Sequence, residues 1–226
     1  MKSNLGEQFV AIALGLGAIE LLPEGRTLKS GRMSPYFFNS GLFSNGRASA
    51  ILTRSYASAC TANHLPENTD VLFGPAYKGT LLVASVAEKL SEYFPQISFA
   101  SNRKEAKDHG EGGTLLGEGL KGKSVVIIDD VMTTGGSCAE AVGIIRKNGG
   151  TPIGCVIAFD RQERGTSGSL SATQEFAKKF GIPVFAIATL TDLISCLHIK
   201  SEEKDGNSYG KALEKILAYQ SEYGVS

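Results

Sequence analysis

The stretch KSVVIIDDVMTTGGS, residues 123–137, decides the fold of this chain. Four consecutive β-branched residues, Val125 to Ile128, follow Gly122 and predict a fully buried strand of a parallel sheet. Two carboxylates, Asp129 and Asp130, come directly after the strand, and apolar residues take up helical spacing from Cys138. The stretch therefore predicts a strand, an acidic pair, a tight loop and a helix, in that order.

The loop between the acidic pair and the helix has the chemistry of a phosphate site. A glycine-rich turn that leads into a helix presents unpaired backbone N–H groups, and the helix dipole adds partial positive charge. The hydroxyls of Thr133, Thr134 and Ser137 add donors, and Ser137 is also expected to cap the helix. Asp129 and Asp130 repel phosphate, but they can accept hydrogen bonds from a sugar diol or bind a metal that the substrate carries. The pattern indicates a sugar phosphate; the alternative is an ordinary β–α turn with solvated acids.

The composition of the chain limits its class and its partners. Its 226 residues suffice for one substantial α/β domain, and 23 basic residues balance 23 acidic ones, so no overall charge favours nucleic acid or a membrane surface. The four cysteines have no metal-site or disulfide-scaffold spacing, and we expect buried, reduced thiols. Glycines and Glu20 interrupt the apolar N-terminal segment, so it is predicted to be neither a signal peptide nor a membrane span. By default we expect a cytoplasmic protein.

Five segments together resemble the orotate phosphoribosyltransferases, a branch of the type I phosphoribosyltransferases. In chain order they are LKSGRMSPYFFNSG, GPAYKG, NRKEAKDHGEGG, VVIIDDVMTTGGS and FDRQERG. The resemblance implies an α/β type I phosphoribosyltransferase fold, with a central mostly parallel sheet flanked by helices and a small N-terminal hood. It also implies a single domain over residues 1–226, with a hood formed mainly by about 1–45 and a mobile lid at about 102–114.

The resemblance further implies the reaction. Phosphoribosyl pyrophosphate would transfer its ribose 5-phosphate to orotate, giving orotidine 5′-monophosphate and pyrophosphate in pyrimidine biosynthesis. Mg²⁺ would be held mainly by the substrate, with help from Asp129 and Asp130. The family's lid reaches the neighbouring subunit, so a homodimer with shared sites is expected. The alternatives are a phosphoribosyltransferase for another base and a regulator that binds phosphoribosyl pyrophosphate without catalysis.

The resemblance assigns residues to each substrate. Phosphoribosyl pyrophosphate would contact Lys29, Tyr77, Lys78, Arg103, Lys104, Lys107, His109, Asp129, Asp130, Val131, Met132, Thr133, Thr134, Gly135, Gly136 and Ser137. Orotate would contact Phe37, Phe38, Thr133 and Arg161. The catalytic charges would come from Arg103, Lys104, Lys107 and His109. The chain departs from the family at Gly136, where many members have a threonine, so phosphate binding relies more on backbone N–H groups, Thr134 and Ser137.

The residues themselves support several of these assignments and leave others open. Tyr77 and Lys78 follow a predicted strand at the edge where open α/β sheets bind ligands, although a lysine there can also be an ordinary surface charge. Residues 102–113 are basic, glycine-rich and without large apolar side chains, which suits a lid over a polyanion or simply a solvated loop. Arg161 also follows a strand, where it could bind a carboxylate or form a salt bridge with Asp160 or Glu163.

Apolar spacing and turn residues predict the remaining elements. Phe37 and Phe38 are neighbours on a strand, so one sheet face cannot bury both; the second needs a covering helix, a partner or a flat ligand. The predicted helices are 5–21, 47–64, 80–93, 171–180, 190–197 and 211–223. Besides 125–128, the predicted strands are 27–29, 36–42, 70–73, 97–101, 151–159 and 183–188, of which the first two form a hairpin, and 200–208 is a predicted loop.

Overall fold

The computed structural model describes residues 4–28, 30–107, 113–165, 168–203 and 206–225. Its helices are Leu5–Gly15 (α1), Gly46–Ala62 (α2), Lys78–Ser91 (α3), Gly136–Lys147 (α4), Ala172–Phe180 (α5), Leu190–Ser201 (α6) and Asn207–Tyr223 (α7). Its strands are Ile19–Thr27 (β1), Met33–Phe38 (β2), Val71–Gly74 (β3), Ser98–Lys107 (β4), Gly113–Gly117 (β5), Ser124–Val131 (β6), Thr151–Asp160 (β7) and Val184–Thr189 (β8).

The central sheet has the order β5-β4-β3-β6-β7-β8, and all its neighbouring pairs are parallel except β4 with β5. The chain adds β4 and β5 on one side of β3, then returns to place β6 on the other side of β3. The strand order therefore reverses between β3 and β6. Loops at the carboxyl ends of strands that flank such a reversal form the ligand crevice of open α/β sheets. The GPAYKG loop and the DDVMTTGGS loop are the two loops at this point.

Alternate residues of β6 enter two separate hydrophobic cores. Val126 and Ile128 pack on the face covered by α1, α2, α3, α6 and α7, whereas Val125 and Ile127 pack on the face covered by α4 and α5. All four side chains are fully buried. A strand that is buried on both faces reads as the continuous β-branched run seen in the sequence. The prediction of a mostly parallel sheet flanked by helices is confirmed.

The N-terminal segment corrects one prediction. The helix expected over 5–21 ends at Gly15, and Ile19 lies in strand β1. Asn4 and Glu7 form a capping box at the helix start, while Gly17 has φ +70 just after its end, a conformation that glycine adopts without strain. Strand β1 then pairs antiparallel with β2, so the predicted hairpin exists, but its first strand lies earlier than expected and has an irregularity between Leu21 and Arg26.

The basic segment 102–107 is part of strand β4, which pairs antiparallel with β5 on the far side of residues 108–112. The sequence predicts a loop for this segment, because its side chains are too polar to bury. Strand pairing satisfies backbone groups without burying side chains, which explains the difference. Near the C-terminus, α6 and α7 begin or end several residues beyond their predicted limits, so the predicted loop at 200–208 is shorter.

The four cysteines, Cys60, Cys138, Cys155 and Cys196, are all buried and free. In the parts of the chain that the structure describes, no helix combines the length and apolar character needed to cross a membrane.

Candidate active site

The acidic pair lies at the carboxyl end of β6. Both residues are still within the strand, and do not follow it as the sequence predicts. The Asp130 carboxylate accepts hydrogen bonds from Ser40 Oγ at 2.8 Å, from Lys78 Nζ at 3.1 Å and from the backbone N–H of Val131 at 2.8 Å. Ser40 belongs to the short 3₁₀ turn after β2, and Lys78 begins α3. Asp130 therefore joins three segments at the sheet edge: the hairpin, the GPAYKG loop and the end of β6.

Asp129 is more buried than Asp130, with 8% of its surface exposed. Its carboxylate accepts the backbone N–H of Asp130 at 2.9 Å and the thiol of Cys138 at 3.5 Å, and its carbonyl oxygen accepts Tyr56 Oη at 2.6 Å. Burial raises the pKa of Asp129 to about 6, and the neighbouring Asp130 charge acts in the same direction, although the backbone hydrogen bond from Asp130 opposes the shift. The surroundings of Asp129 therefore disfavour a negative charge at this carboxyl group.

The loop 133–137 presents backbone donors and hydroxyls to solvent. Gly135 is the N-cap of α4 at φ +71, and no side chain caps the helix, so its first N–H groups are left for a ligand. Ser137 is exposed and is not the cap, which corrects that expectation. Thr133, Thr134 and Gly136 are exposed as well. The side chain of Met132 packs in the core between the sheet and α4, so this residue can offer a ligand only its backbone.

The GPAYKG loop lies against the acidic pair. Gly74 and Gly79 touch so closely that a Cβ on Gly74 would sit 2.0 Å from the Gly79 carbonyl oxygen. The Ala76–Tyr77 peptide is cis, and Asn102 Oδ1 accepts the Ala76 N–H at 2.9 Å. The contact between Gly74 and Gly79 and the hydrogen bond to Asn102 hold this loop, and the side chains of Tyr77 and Lys78 are exposed at the mouth of the crevice.

Of the basic side chains of β4 that the structure describes, Lys104 lies next to this loop and Arg103 is hydrogen-bonded to β5. Lys104 Nζ is 4.9 Å from the centre of the Tyr77 ring, and Arg103 Nε donates to the carbonyl of Leu115 at 3.4 Å. The structure thus brings the base of the predicted lid to the GPAYKG loop. Lys29, His109 and the side chain of Lys107 lie outside the described residues.

The adjacent phenylalanines of β2 point in opposite directions, as expected for a strand. Phe38 is buried and stacks on Phe159 with ring centres 5.5 Å apart, so its ring belongs to the core. Phe37 is partly buried, and the guanidinium of Arg26 covers its ring at 4.5 Å. The side chain available to a flat ligand is thus that of Phe37, while Phe38 offers its backbone.

Arg161 lies in a mostly buried polar cluster behind β2. Its Nη2 donates to Ser34 Oγ at 2.8 Å and contacts Glu163 Oε1 at 2.6 Å, and its guanidinium lies 4.2 Å from the centre of the Tyr36 ring. The salt bridge that the sequence left open is therefore with Glu163. Burial alone would lower the pKa of Arg161, but the neighbouring Tyr36 and Glu163 groups raise it above its ordinary value. The guanidinium stays charged.

The comparisons with known proteins agree with this geometry. Residues 42–182 match the family model of the phosphoribosyl transferase domain. Orotate phosphoribosyltransferase of Laribacter hongkongensis is 51% identical over 197 residues, which cover 87% of this chain and 88% of the relative. This chain belongs to the orotate phosphoribosyltransferase family. The family enzyme of Acinetobacter baumannii is 46% identical over 97% of this chain and 96% of its own.

A solved structure supports the same family at the level of the fold. The crystal structure of orotate phosphoribosyltransferase from Francisella tularensis superposes with a TM-score of 0.81 at 32% identity, covering 96% of this chain and 99% of that one. The resemblance identified from five sequence segments is therefore confirmed, as is the type I fold that it implied.

Several residues around the site were not singled out from the sequence. They are Ser34, Tyr36, Ser40, Tyr56 and Cys138. Glu163 belongs with them, since the sequence suggests it only as one of two alternative salt-bridge partners of Arg161. Most of them meet the site through contacts between residues far apart in sequence, such as Ser40 with Asp130 or Tyr56 with the Asp129 carbonyl. The family motifs contain Ser34, Tyr36, Ser40 and Glu163, and this membership was the available signal, but it does not say which residue each one meets.

Proposed function

We propose that this chain transfers the ribose 5-phosphate group of phosphoribosyl pyrophosphate to N1 of orotate, releasing pyrophosphate. The observation that supports this best is the meeting of three features where the strand order reverses. These are an uncapped helix N-terminus with hydroxyls, an acidic pair, and a lysine in contact with that pair. They suit, respectively, the 5-phosphate, the ribose diol and the pyrophosphate of one substrate. Membership of the orotate phosphoribosyltransferase family supplies the acceptor base.

Each part of the donor would meet a different part of the crevice. The backbone of 131–136 and the hydroxyls of Thr133, Thr134 and Ser137 would hold the 5-phosphate, as helix N-termini commonly do. Asp129 and Asp130 would accept hydrogen bonds from the ribose hydroxyls. Pyrophosphate would be held by the basic and aromatic residues at the mouth: Lys29, Tyr77, Lys78, Arg103, Lys104, Lys107 and His109.

Catalysis in such a site is mainly electrostatic. The ribosyl carbon becomes cation-like as pyrophosphate leaves, so the site must orient both substrates, neutralise the leaving group and exclude water. Lys78 would exchange its contact with Asp130 for one with the pyrophosphate, which frees Asp130 for the ribose. Arg103, Lys104, Lys107 and His109 would supply the remaining positive charge as the lid closes.

A magnesium ion fits this arrangement. Among the described residues no group of three or more His, Cys, Asp or Glu side chains could hold a metal by itself. Mg²⁺ typically binds one or two carboxylates together with substrate phosphates, and Asp129 and Asp130 are the carboxylates at this edge. When bound, the ion would neutralise developing charge on the diphosphate oxygens.

Orotate would lie between β2 and the Arg161 loop. The base would be surrounded by the side chain of Phe37 against one face of its ring, by the backbone at Phe38 and by the hydroxyl of Thr133. Arg161 would pair with the orotate carboxylate, a group that a guanidinium binds in a planar, two-point contact.

A homodimer with shared sites is part of the proposal. Large apolar side chains are exposed on neighbouring elements near the base of the lid: Leu81 on α3 at 78%, Phe99 on β4 at 37% and Leu116 on β5 at 37%. Exposed apolar residues in one region favour an interface. A lid that projects beyond strands β4 and β5 at the rim of the sheet could then reach the partner's crevice.

The activity test follows orotate consumption by ultraviolet absorbance with phosphoribosyl pyrophosphate and Mg²⁺, beside adenine, hypoxanthine and uracil. We expect consumption of orotate alone. Turnover of another base instead would replace orotate as the acceptor, and no turnover with retained binding of phosphoribosyl pyrophosphate would indicate a regulator.

The lid is tested with Lys107→Ala. Loss of one preorganised cation should lower kcat by roughly a hundredfold or more, because such donors typically contribute ~3–4 kcal/mol to the barrier. Lys121→Ala, an exposed lysine before β6, is the matched control and should leave kcat unchanged. An unaltered kcat in Lys107→Ala would remove the lid from the mechanism.

Sharing of sites is tested by mixing inactive subunits. In a hybrid of Lys107→Ala with Asp130→Asn, one site would combine a normal lid with a normal acidic pair if the lid acts on the partner. Random pairing should then restore about a quarter of wild-type activity, because half of the dimers are hybrids with one normal site each. A lid that acts on its own subunit would restore none.

A further inference from the structure

The guanidinium of Arg161 is anchored on one side only. Both contacts with Ser34 and Glu163 are made by Nη2, and the Tyr36 ring lies against the guanidinium. The Nε–H is buried and has no hydrogen-bond partner among the described residues. A buried donor without a partner is costly, so this edge of the guanidinium is available to an acceptor, either the neighbouring Tyr219 hydroxyl, which is also buried without a hydrogen bond in the described part of the chain, or a ligand group.

Glu163 is the residue that fixes this anchor. Its Oε1 both contacts Arg161 and accepts a hydrogen bond from Tyr36 Oη at 3.2 Å. Burial raises the pKa of Tyr36 well above its ordinary value, so the hydroxyl stays a neutral donor to Glu163. The other oxygen, Oε2, lies 3.8 Å from Arg32 Nη1. One oxygen of Glu163 therefore determines where the Arg161 side chain sits.

The loop that carries both residues is itself held in shape. Gln162, between them, has φ +50, a left-handed conformation that a non-glycine residue keeps only when its surroundings hold it. Its side-chain oxygen accepts the N–H of Thr191 at 2.9 Å and the Thr191 hydroxyl at 2.7 Å, and its carbonyl accepts the N–H of Val225 at 2.9 Å. The turn at Gln162 lets the side chains of Arg161 and Glu163 meet.

The charges of the cluster favour an anion. Arg32 and Arg161 contribute two positive charges, Glu163 contributes one negative charge, and the three side chains are between 10% and 15% exposed. The Asp160 carboxylate does not join them, because it accepts the Gln162 N–H and the Thr173 hydroxyl. One positive charge is left in excess in a poorly solvated place, which a carboxylate on the acceptor base would balance.

We propose that Glu163 is a positioning residue that holds the Arg161 guanidinium for the carboxylate of the acceptor base and so contributes to selection of an anionic acceptor. The inference rests on the proposed function, in which Arg161 binds that carboxylate. Glu163 acts through the place of its Oε1 and not through its charge. Position and charge can be separated, because aspartate keeps the charge but withdraws the oxygen, whereas glutamine keeps the oxygen but removes the charge.

The experiment compares Glu163→Asp with Glu163→Gln in steady-state kinetics. Glu163→Asp should raise the KM for orotate about tenfold, since an oxygen drawn back by one methylene loses its contacts with Arg161 and Tyr36. Its kcat and its KM for phosphoribosyl pyrophosphate should stay within about twofold of wild type. Glu163→Gln should keep the orotate KM within about threefold, because Oε1 can still accept from both partners.

The control is Glu92→Asp, which makes the same change in an exposed Lys89–Glu92 ion pair at the opposite end of α3. All its constants should equal those of wild type. The positioning role is overturned if Glu163→Asp leaves the orotate KM unchanged, or if Glu163→Gln is the more damaging variant, since charge would then be the property that matters. It is also overturned if Glu163→Asp lowers kcat and both affinities together with Tm, which is the pattern of a structural defect.

A third variant separates this inference from the proposed function. Arg161→Lys keeps a cation beside Glu163 but loses the planar fork, and it should raise the orotate KM at least as much as Glu163→Asp. If Arg161→Lys has no effect, the assignment of Arg161 to the carboxylate fails and the inference fails with it. If Arg161→Lys impairs orotate binding and Glu163→Asp does not, only the inference fails.

Discussion

The two sides of the crevice differ in whether their surroundings stabilise the charged form of a buried side chain. On the side assigned to the phosphoribosyl donor, burial raises the pKa of Asp129 to about 6, and no cation contacts its carboxylate among the described residues. On the side assigned to the acceptor base, Arg161 is similarly buried but has Glu163 at 2.6 Å, and its pKa is raised, so its charge is stabilised. The donor side thus has a buried carboxylate without a paired cation, whereas on the acceptor side the charge of Arg161 is paired with Glu163 and Arg32 supplies the positive charge that is left in excess.

The two sides also differ in how they are assembled. The donor side consists of two contiguous loops, 74–79 and 129–137, in which backbone groups would make most of the contacts with the ligand. The acceptor side joins side chains that are far apart in sequence, such as Ser34 and Arg161, which are 127 positions apart. We therefore expect substitutions that alter the backbone to damage the donor side most, and substitutions that move single atoms to damage the acceptor side most.

The largest effect is expected for Gly74→Ala. The new Cβ would lie 2.0 Å from the Gly79 carbonyl oxygen and 2.9 Å from Val83 Cβ, so the loop that carries Tyr77 and Lys78 must move. We expect the free energy of unfolding to fall by about 2–3 kcal/mol and activity to fall more than the loss of folded protein explains. Chemical denaturation and kcat/KM for phosphoribosyl pyrophosphate measure the two effects.

Gly15→Ala is the control for this substitution, because a Cβ on Gly15 meets nothing within 4 Å. It should be neutral or slightly stabilising at the end of α1. A fully active and stable Gly74→Ala protein would show that the backbone of the donor loop is not as constrained as the Gly74–Gly79 contact indicates.

Asp129→Asn tests the uncompensated charge. The folded-state pKa of about 6 lies above the ordinary value of 3.8, so the native state holds its proton more tightly than the unfolded state. This carboxyl group therefore lowers stability as pH rises through about 4 to 6, by up to about 3 kcal/mol, and the loss persists at higher pH. In metal-free and substrate-free protein, Asp129→Asn should gain stability relative to wild type at pH 8 by about 1–1.5 kcal/mol more than at pH 5.

The same substitution should weaken binding of phosphoribosyl pyrophosphate in calorimetry, because the amide offers one acceptor fewer to the ribose. Stability and function would then change in opposite directions, as expected where a ligand relieves an unfavourable charge. A stability difference between wild type and variant that does not depend on pH would contradict the raised pKa.

The smallest effects distinguish a serine that the fold uses from one that it leaves exposed. Ser171 caps α5 in a capping box beside the acceptor loop, and Ser171→Ala should lower the free energy of unfolding by about 1 kcal/mol. Ser137 caps nothing, so Ser137→Ala should change stability by less than about 0.5 kcal/mol while weakening phosphate binding. Thermal unfolding of both variants side by side measures the contrast, and equal losses in Tm would mean that Ser137 supports the fold.

The same division explains what the sequence could predict. Strand, acidic pair, loop and helix follow one another in residues 123–137, so local periodicity and turn residues were sufficient to place them. The end of α1 was missed because Ile19 continues the helical spacing of apolar residues, whereas pairing with β2 draws it into a strand. Tertiary pairing outweighs local periodicity at that position.

The acceptor side was beyond local patterns for a different reason. The sequence predicts Arg161 as a binding residue but does not distinguish Asp160 from Glu163 as its salt-bridge partner, since both are near it in sequence. In the structure the salt-bridge partner is Glu163, because the Asp160 carboxylate accepts hydrogen bonds from the Thr173 hydroxyl and the Gln162 N–H. Ser34 and Tyr36 lie on a different strand of a different sheet, and only the folded chain shows that they reach the guanidinium.

The contact between Lys78 and Asp130 has a consequence for the rate of substrate capture. A cation that already has an anion 3.1 Å away contributes little to the electrostatic field at long range. Lys78 should therefore hardly change the association rate of phosphoribosyl pyrophosphate or the dependence of that rate on ionic strength. In the proposed mechanism its exchange from Asp130 to the pyrophosphate would follow the encounter, so Lys78 should affect how long the substrate stays bound and not how quickly it arrives.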